Sequence, residues 1–141
     1  MYKLKIISIG KTKEKWLDEA VQEYLKRLKP YVQIETLWAK DNHQLIDWCQ
    51  KENSFICLDP QGTLHTSESF SQFLIRKWEK EGSRLTLVIG GAEGLPQILK
   101  EKSQLISLSP LTFTHQMTRL ILIEQIYRAI EIHRGSNYHK A

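Results

Sequence analysis

The run Leu85 to Ile89 has no solvent-facing alternation, as expected for a strand covered on both faces. Leu4 to Ile9 and Phe55 to Leu58 read as strands of the same kind. Val32 to Trp38 alternates in part, which predicts a strand nearer a sheet edge. Leu105 to Leu108 predicts a fifth strand. Between these runs the period changes to that of a helix. Glu14 to Leu28 places Trp16, Ala20, Val21, Tyr24 and Leu28 at helical spacing, and Pro30 stops it. His43 to Lys51 predicts a short helix. Asp59-Pro60-Gln61-Gly62 has the composition of a turn. Thr66 or Ser67 is suited to cap a helix with a stripe of Phe70, Phe73, Leu74 and Trp78, ended by Gly82. Another short helix starts at Pro96, and the last helix runs from about Gln116 to His133.

Strands and helices alternate throughout, which predicts an α/β domain spanning residues 1–141. Its sheet should be mostly parallel, with five or six strands and helices on both faces. In such a sheet, ligands bind beyond the carboxyl ends of the strands. Three loops meet that description: Asp59 to Gly62, Gly90 to Gly94, and Ser109 to Thr114. In the second, Gly90, Gly91 and Gly94 are expected to present backbone that no Cβ keeps away from a ligand. The last helix carries Met117, Leu120, Ile121, Ile123, Ile126, Tyr127, Ile130 and Ile132, more than one apolar stripe. Two arrangements satisfy this: a helix deep in the core, or one packed on the sheet on one side and on a partner subunit on the other.

Composition narrows the chemistry. The chain has 141 residues, 41% hydrophobic and 26% charged, a balance that predicts a globular fold. Its formal net charge of +4 is compatible with a polyanionic partner without requiring one. Cys49 and Cys57 form no disulfide framework and fit a reducing, cytoplasmic setting. No apolar run has the length of a membrane span, and the N-terminus reads as a strand rather than a signal segment. Gly90 to Gly94 matches neither the dinucleotide fingerprint nor the P-loop, and Glu93 would repel a pyrophosphate. The five histidines and two cysteines lack metal-site spacing, so no metal is expected. There is no nucleophile-elbow serine. A neutral or zwitterionic adenosine ligand suits the acid-bearing glycine turn better than a phosphate does. The C-terminal stretch Arg134 to Lys140 gathers a phenol, an imidazole and cations, either as a solvated tail or as a functional one.

Three segments then stand out together: Leu87 to Leu95, Ser107 to His115, and Glu124 to Ala129 with the terminal Tyr138-His139-Lys140. In this order and spacing the chain resembles the RlmH-type methyltransferases of the SPOUT class, and the likeness extends to the opening Leu4 to Lys11. The resemblance implies a C-terminal trefoil knot, which general rules of chain topology would not have suggested. It also implies a homodimer, formed here through the last helix, and S-adenosylmethionine-dependent methylation of N3 of a pseudouridine in 23S rRNA on the assembled ribosome. The family's cofactor site carries over onto Leu58, Gly91 and the run Ser109, Pro110, Leu111, Thr112, Phe113 and Thr114, with Gly90 completing the glycine turn. Where family members often have proline, this chain has Ala92 and Asn137.

An imide N–H must lose its proton to accept a methyl group. His139 is the first candidate base, with Tyr138 stacking on or orienting the uracil, and Arg128 or Arg134 stabilising an imidate or holding phosphate. His115 is the alternative base. Lys11, Lys13, Lys15, Lys26, Arg27 and Lys29 are candidate phosphate contacts. Two rival readings share the pattern: a non-catalytic ribosome-binding protein of the same fold, and a small flavodoxin-like nucleotide or flavin protein.

Overall fold

The computed structural model describes residues 1–140; Ala141 lies outside the described residues. Five strands form one all-parallel sheet: β1 (Tyr2–Ile9), β2 (Val32–Ala39), β3 (Ile56–Leu64), β4 (Arg84–Ile89) and β5 (Gln104–Ser107), in the order β2-β1-β4-β3-β5. The connecting helices are α1 (Lys15–Leu28), α2 (Asn42–Gln50), α3 (Ser67–Lys80) and α4 (Gln97–Lys102), and α5 (His115–Arg134) closes the chain.

The side-chain period of two divides the sheet into two cores. Leu4, Ile6, Val32, Ile56, Leu58, Leu85, Leu87, Ile89 and Ile106 point toward α1, α3 and α5. Ile7, Ala39, Cys57 and Val88 point the other way, toward Leu45 and Cys49 of α2 and Leu99 of α4. Each connection that steps toward the β2 edge uses α1 or α3, and each that steps toward the β5 edge uses α2 or α4. This pairing of direction with face is what a single crossover handedness requires. Burial in this second core raises the Cys49 thiol to about 12 and the Cys57 thiol to about 11, so both stay protonated and inert.

Several helix assignments shift in detail. Trp16 does not belong to the buried stripe of α1; it is 59% exposed, while Leu17 and Leu28 are buried and Val21, Tyr24 and Leu25 pack against the core. The stripe therefore starts one residue later, at a spacing of four, three and four. Pro96 caps α4 rather than opening it. The Thr66 hydroxyl accepts from the Ser69 backbone N–H and the Ser69 hydroxyl accepts from the Thr66 backbone N–H, so α3 starts in a full capping box. The Asp59 to Gly62 segment is a bulge rather than a turn. β3 pairs with β5 through Leu58, shifts register, and pairs again from Thr63. Gly62 is obligatory there, since a Cβ would lie 2.6 Å from the Ile106 nitrogen.

α5 buries Arg119, Leu122, Ile123, Ile126, Ala129, Ile130 and Glu131 against the sheet and its neighbours. Ile123 and Ile130 are 2% and 3% exposed, so both belong to the core and neither reports on a subunit contact. Met117, Ile121 and the polar Glu124, Gln125 and Arg128 form the half-buried outer face. Among the described residues, no helix is long and apolar enough to cross a membrane.

Candidate active site

A crevice of about 760 Å³ opens beyond the carboxyl ends of β3, β4 and β5, a size suited to a small cofactor. The three loops chosen from the sequence form its walls. Leu58, Gly90, Gly91, Ser109, Leu111, Thr112, Phe113 and Thr114 all line it. Pro110 does not, although it lies within the same loop. The sequence missed a fourth wall, Glu14, Trp16 and Leu17 at the start of α1. Nothing in the helical spacing of α1 distinguishes a crevice rim from a core stripe.

Each wall is held by its own local chemistry. In the β3 bulge, the buried Asp59 accepts from the Gln61 backbone at 2.8 Å and pairs with Lys100 of α4 at 3.1 Å. In the β5–α5 loop, the Ser107 hydroxyl donates to the Ser109 carbonyl, and the Ser109 hydroxyl accepts from the Leu111 backbone. Thr114 caps α5 through the Met117 backbone. Leu111 is 70% exposed at the mouth.

The glycine turn also packs closely on the rest of the chain. At Gly90 a Cβ would lie 2.9 Å from the Gly94 carbonyl carbon, and at Gly91 it would lie 3.2 Å from Cγ2 of Ile9. Gly90 is therefore required by close packing of the chain on itself, and at Gly91 a side chain would press on Ile9, which would have to give by a few tenths of an ångström. Gly91 and Gly94 close the turn, with the Gly94 N–H donating to the Gly91 carbonyl at 3.0 Å and Gly94 at φ +83°. Ala92 occupies the second turn position, which favours proline. Ala92→Pro should raise stability by about 0.4–1 kcal/mol by narrowing the unfolded ensemble. Thermal unfolding would show this as a rise of about 2–4 °C, and a fall would mean that the turn backbone cannot accept the ring.

The β1–α1 wall is pinned by Arg119, a charged residue inside an apolar helix. It is 7% exposed. Its guanidinium donates to the Ser8 hydroxyl at 3.1 Å, the Thr12 hydroxyl at 3.0 Å, and the carbonyls of Ile9 and Gly10. Burial lowers its pKa to about 10, which leaves it charged at neutral pH. His115, one turn earlier, also lines the crevice. Burial lowers its pKa, and the nearby Arg119 and Lys13 lower it further, so the imidazole is neutral at pH 7.

The C-terminal residues form a separate polar cluster. The Tyr138 hydroxyl donates to Glu124 at 2.7 Å, and Glu124 also accepts from Arg128 at 2.8 Å. The Arg128 guanidinium lies 4.9 Å from the centre of the Tyr138 ring, which meets Tyr127 edge-on. His139 sits between Arg128, at 3.1 Å from Nδ1, and Glu68 at the start of α3, at 2.5 Å from Nε2. Arginine only donates and carboxylate only accepts, so Nδ1 carries the lone pair and Nε2 the proton. Burial raises the Tyr138 pKa, and its bond to Glu124 raises it further, so the phenol stays protonated. Arg134 is not in this cluster; it pairs with Glu131 at 2.6 Å and lies over Tyr31.

None of Tyr138, His139 and Arg128 lines the crevice of its own chain. Glu124, which holds two of them, is about 14 Å along α5 from His115 at 1.5 Å per residue. The structure brings His139, Tyr138 and Arg128 together, with Glu68 and Glu124 as partners that the sequence did not pair with them. Among the described residues, no group of three or more His, Cys, Asp or Glu side chains is placed to hold a metal ion.

Comparison with known proteins fits this geometry. A family model described as "Predicted SPOUT methyltransferase" matches residues 2–139. The chain is 67% identical over 140 residues to the ribosomal RNA large subunit methyltransferase H of Protochlamydia amoebophila, covering 99% of this chain and 100% of that one. It is 40% identical to the protein of the same name from Prochlorococcus marinus, covering 99% of this chain and 96% of that one. It is 37% identical to that of Symbiobacterium thermophilum, covering 98% of this chain and 99% of that one. With a parallel sheet, a crevice on three strand-end loops and a family match along nearly its whole length, the chain belongs to the SPOUT methyltransferases, the class whose α/β fold carries a C-terminal trefoil knot.

Proposed function

We propose that this protein methylates N3 of a pseudouridine in 23S rRNA on the assembled ribosome, with S-adenosylmethionine as donor. The observation that carries the reading is the 67% identity, over the full length of both chains, to a ribosomal RNA large subunit methyltransferase H.

The crevice fits the cofactor by size and by chemistry. Its β5–α5 loop and glycine turn offer backbone groups and small side chains, with Leu58, Phe113 and Leu111 as apolar walls. Leu58, Gly90, Gly91 and Ser109 to Thr114 would hold it, and the bound group supplies an activated methyl on a sulfonium. The protein's part is to align the target nitrogen with that methyl and to exclude water.

The target imide must be deprotonated, and His139 is the base we assign to that step. Glu68 accepts from Nε2–H and fixes the tautomer with the lone pair on Nδ1. That lone pair now faces Arg128, so the substrate N3–H must displace this contact to be abstracted. The proton then passes to Nδ1, and Arg128, freed from the ring, is beside the developing imidate oxygen. Tyr138 keeps its proton and acts as a stacking and positioning group. His115, neutral and inside the crevice, is the second candidate base.

The tail lies outside its own crevice, so this chemistry calls for a homodimer in which the tail of one chain reaches the crevice of the other. The half-buried outer face of α5 is the surface proposed for that contact.

The test is single-turnover transfer of labelled methyl groups to unmodified ribosomes and to naked rRNA, followed by mass spectrometry of the nucleosides. Label in 3-methylpseudouridine, from ribosomes and not from naked rRNA, is the expected result. Label in any other nucleoside overturns the site assignment, and failure to bind S-adenosylmethionine favours a non-catalytic ribosome-binding protein.

A further inference from the structure

Trp16 stands in the first turn of α1, at the rim of the crevice, with 59% of its surface in water. Tryptophan is the largest side chain and is seldom left so exposed without a partner. The preceding stretch carries Lys11, Lys13 and Lys15, all exposed, against the single acid Glu14. Lys15 only approaches Glu19, at 4.0 Å, and among the described residues Lys11 and Lys13 form no ion pair. The segment is also fixed in place. Leu17 anchors the turn in the core, the Lys13 N–H donates to Gln116 of α5 at 3.3 Å, and Arg119 holds Ile9, Gly10 and Thr12.

We propose that Trp16 is a stacking platform for an unpaired RNA base adjoining the nucleotide delivered to the crevice, with Lys11, Lys13 and Lys15 on the flanking phosphates. A flat π-face beside mobile cations is the combination that holds single-stranded nucleic acid. Glu14 on the crevice wall keeps phosphate out of the crevice, so the backbone runs along the outer lysines and the base turns inward. Rigidity matters because a stacking surface ordered in advance does not lose that entropy on binding. This proposal rests on the ribosomal RNA reading above.

The experiment compares wild type, Trp16→Ala and Trp16→Phe in single-turnover methyl transfer over a range of ribosome concentrations. Calorimetric titration with S-adenosylmethionine and sedimentation accompany it. Trp16→Ala should raise the half-saturating ribosome concentration about 5- to 100-fold, the range found when a base-stacking aromatic is removed. Trp16→Phe should recover most of that loss, any change in cofactor affinity should be smaller than the change in half-saturating ribosome concentration, and sedimentation should stay as in wild type. Each lysine replaced by alanine should lower the slope of log affinity against log salt by about one. An alanine variant that saturates like wild type overturns the proposal. So does a loss confined to cofactor affinity, which would give Trp16 to the cofactor, or a change in sedimentation, which would give it to a subunit contact. If the wild type transfers no methyl group, the enzymatic reading fails separately. Quenching of intrinsic fluorescence by a single-stranded RNA oligonucleotide, present in wild type and absent in Trp16→Phe, still upholds the platform, and equal quenching in both sinks it.

Discussion

Deletion of Asn137 to Ala141 should abolish methyl transfer to ribosomes while the sheet, both cores and most cofactor affinity survive. Tyr138 and His139 pack on the outer side of α5 and on the start of α3, and no core cluster includes them. Their loss leaves Arg128 still paired with Glu124, so no buried charge is stranded. His139→Ala alone should slow the single-turnover rate by about 10²- to 10⁴-fold, the usual contribution of a positioned base. Ribosome binding should change much less, because a base acts mainly in the transition state. Tyr138→Phe should leave the shape of the pH–rate profile unchanged. Burial and the Glu124 acceptor both raise the phenol's pKa, so it does not titrate in the range where ribosomes are intact. Transfer by the truncated protein at the wild-type rate would return the tail to a solvated end and make His115 the residue to replace.

Arg119→Met should be the most damaging single change near the crevice that touches no substrate. The methionine fills much of the same space without burying a charge. It leaves the Ile9 and Gly10 carbonyls and the Ser8 and Thr12 hydroxyls without their donor. Ser8 is buried and Ile9, Gly10 and Thr12 are half-buried; an unsatisfied group fully cut off from water costs about 1–3 kcal/mol, so a total loss of about 2–3 kcal/mol is expected in denaturant unfolding. The β1–α1 wall with Glu14, Trp16 and Leu17 should loosen with it, lowering S-adenosylmethionine affinity about tenfold or more. Arg119→Lys should fall in between, because an ammonium keeps the charge but cannot span four acceptors in one plane. A methionine variant with wild-type unfolding and wild-type cofactor affinity would show that the wall stands without this arginine.

Local pattern determined most of what this sequence shows. Five strand-like runs became five parallel strands: burial on both faces removes the polar alternation in the central β4, while β2 at the sheet edge keeps part of it. The β3 bulge and the glycine- and proline-bearing loops after β4 and β5 meet at one crevice, since a parallel sheet brings its strand ends to one side. The terminal Tyr138-His139 stood out by combining a phenol and an imidazole in a few residues, and the fold sets it beside Arg128.

Tertiary structure alone decided the rest. The strand order and the split of helices between two faces depend on which strands pair, information spread over the whole chain. The bulge at Asp59 to Gly62 looks like a turn until β5 runs past it at 2.6 Å from where a Gly62 Cβ would be. Trp16 fits a helical stripe as well as Leu17 does, and only the rotation of α1 on the sheet sends one into the core and the other to the crevice rim. Arg119, Glu68 and Glu124 gain their meaning from partners 14 to 111 residues away, in loops and helices that no local spacing connects to them.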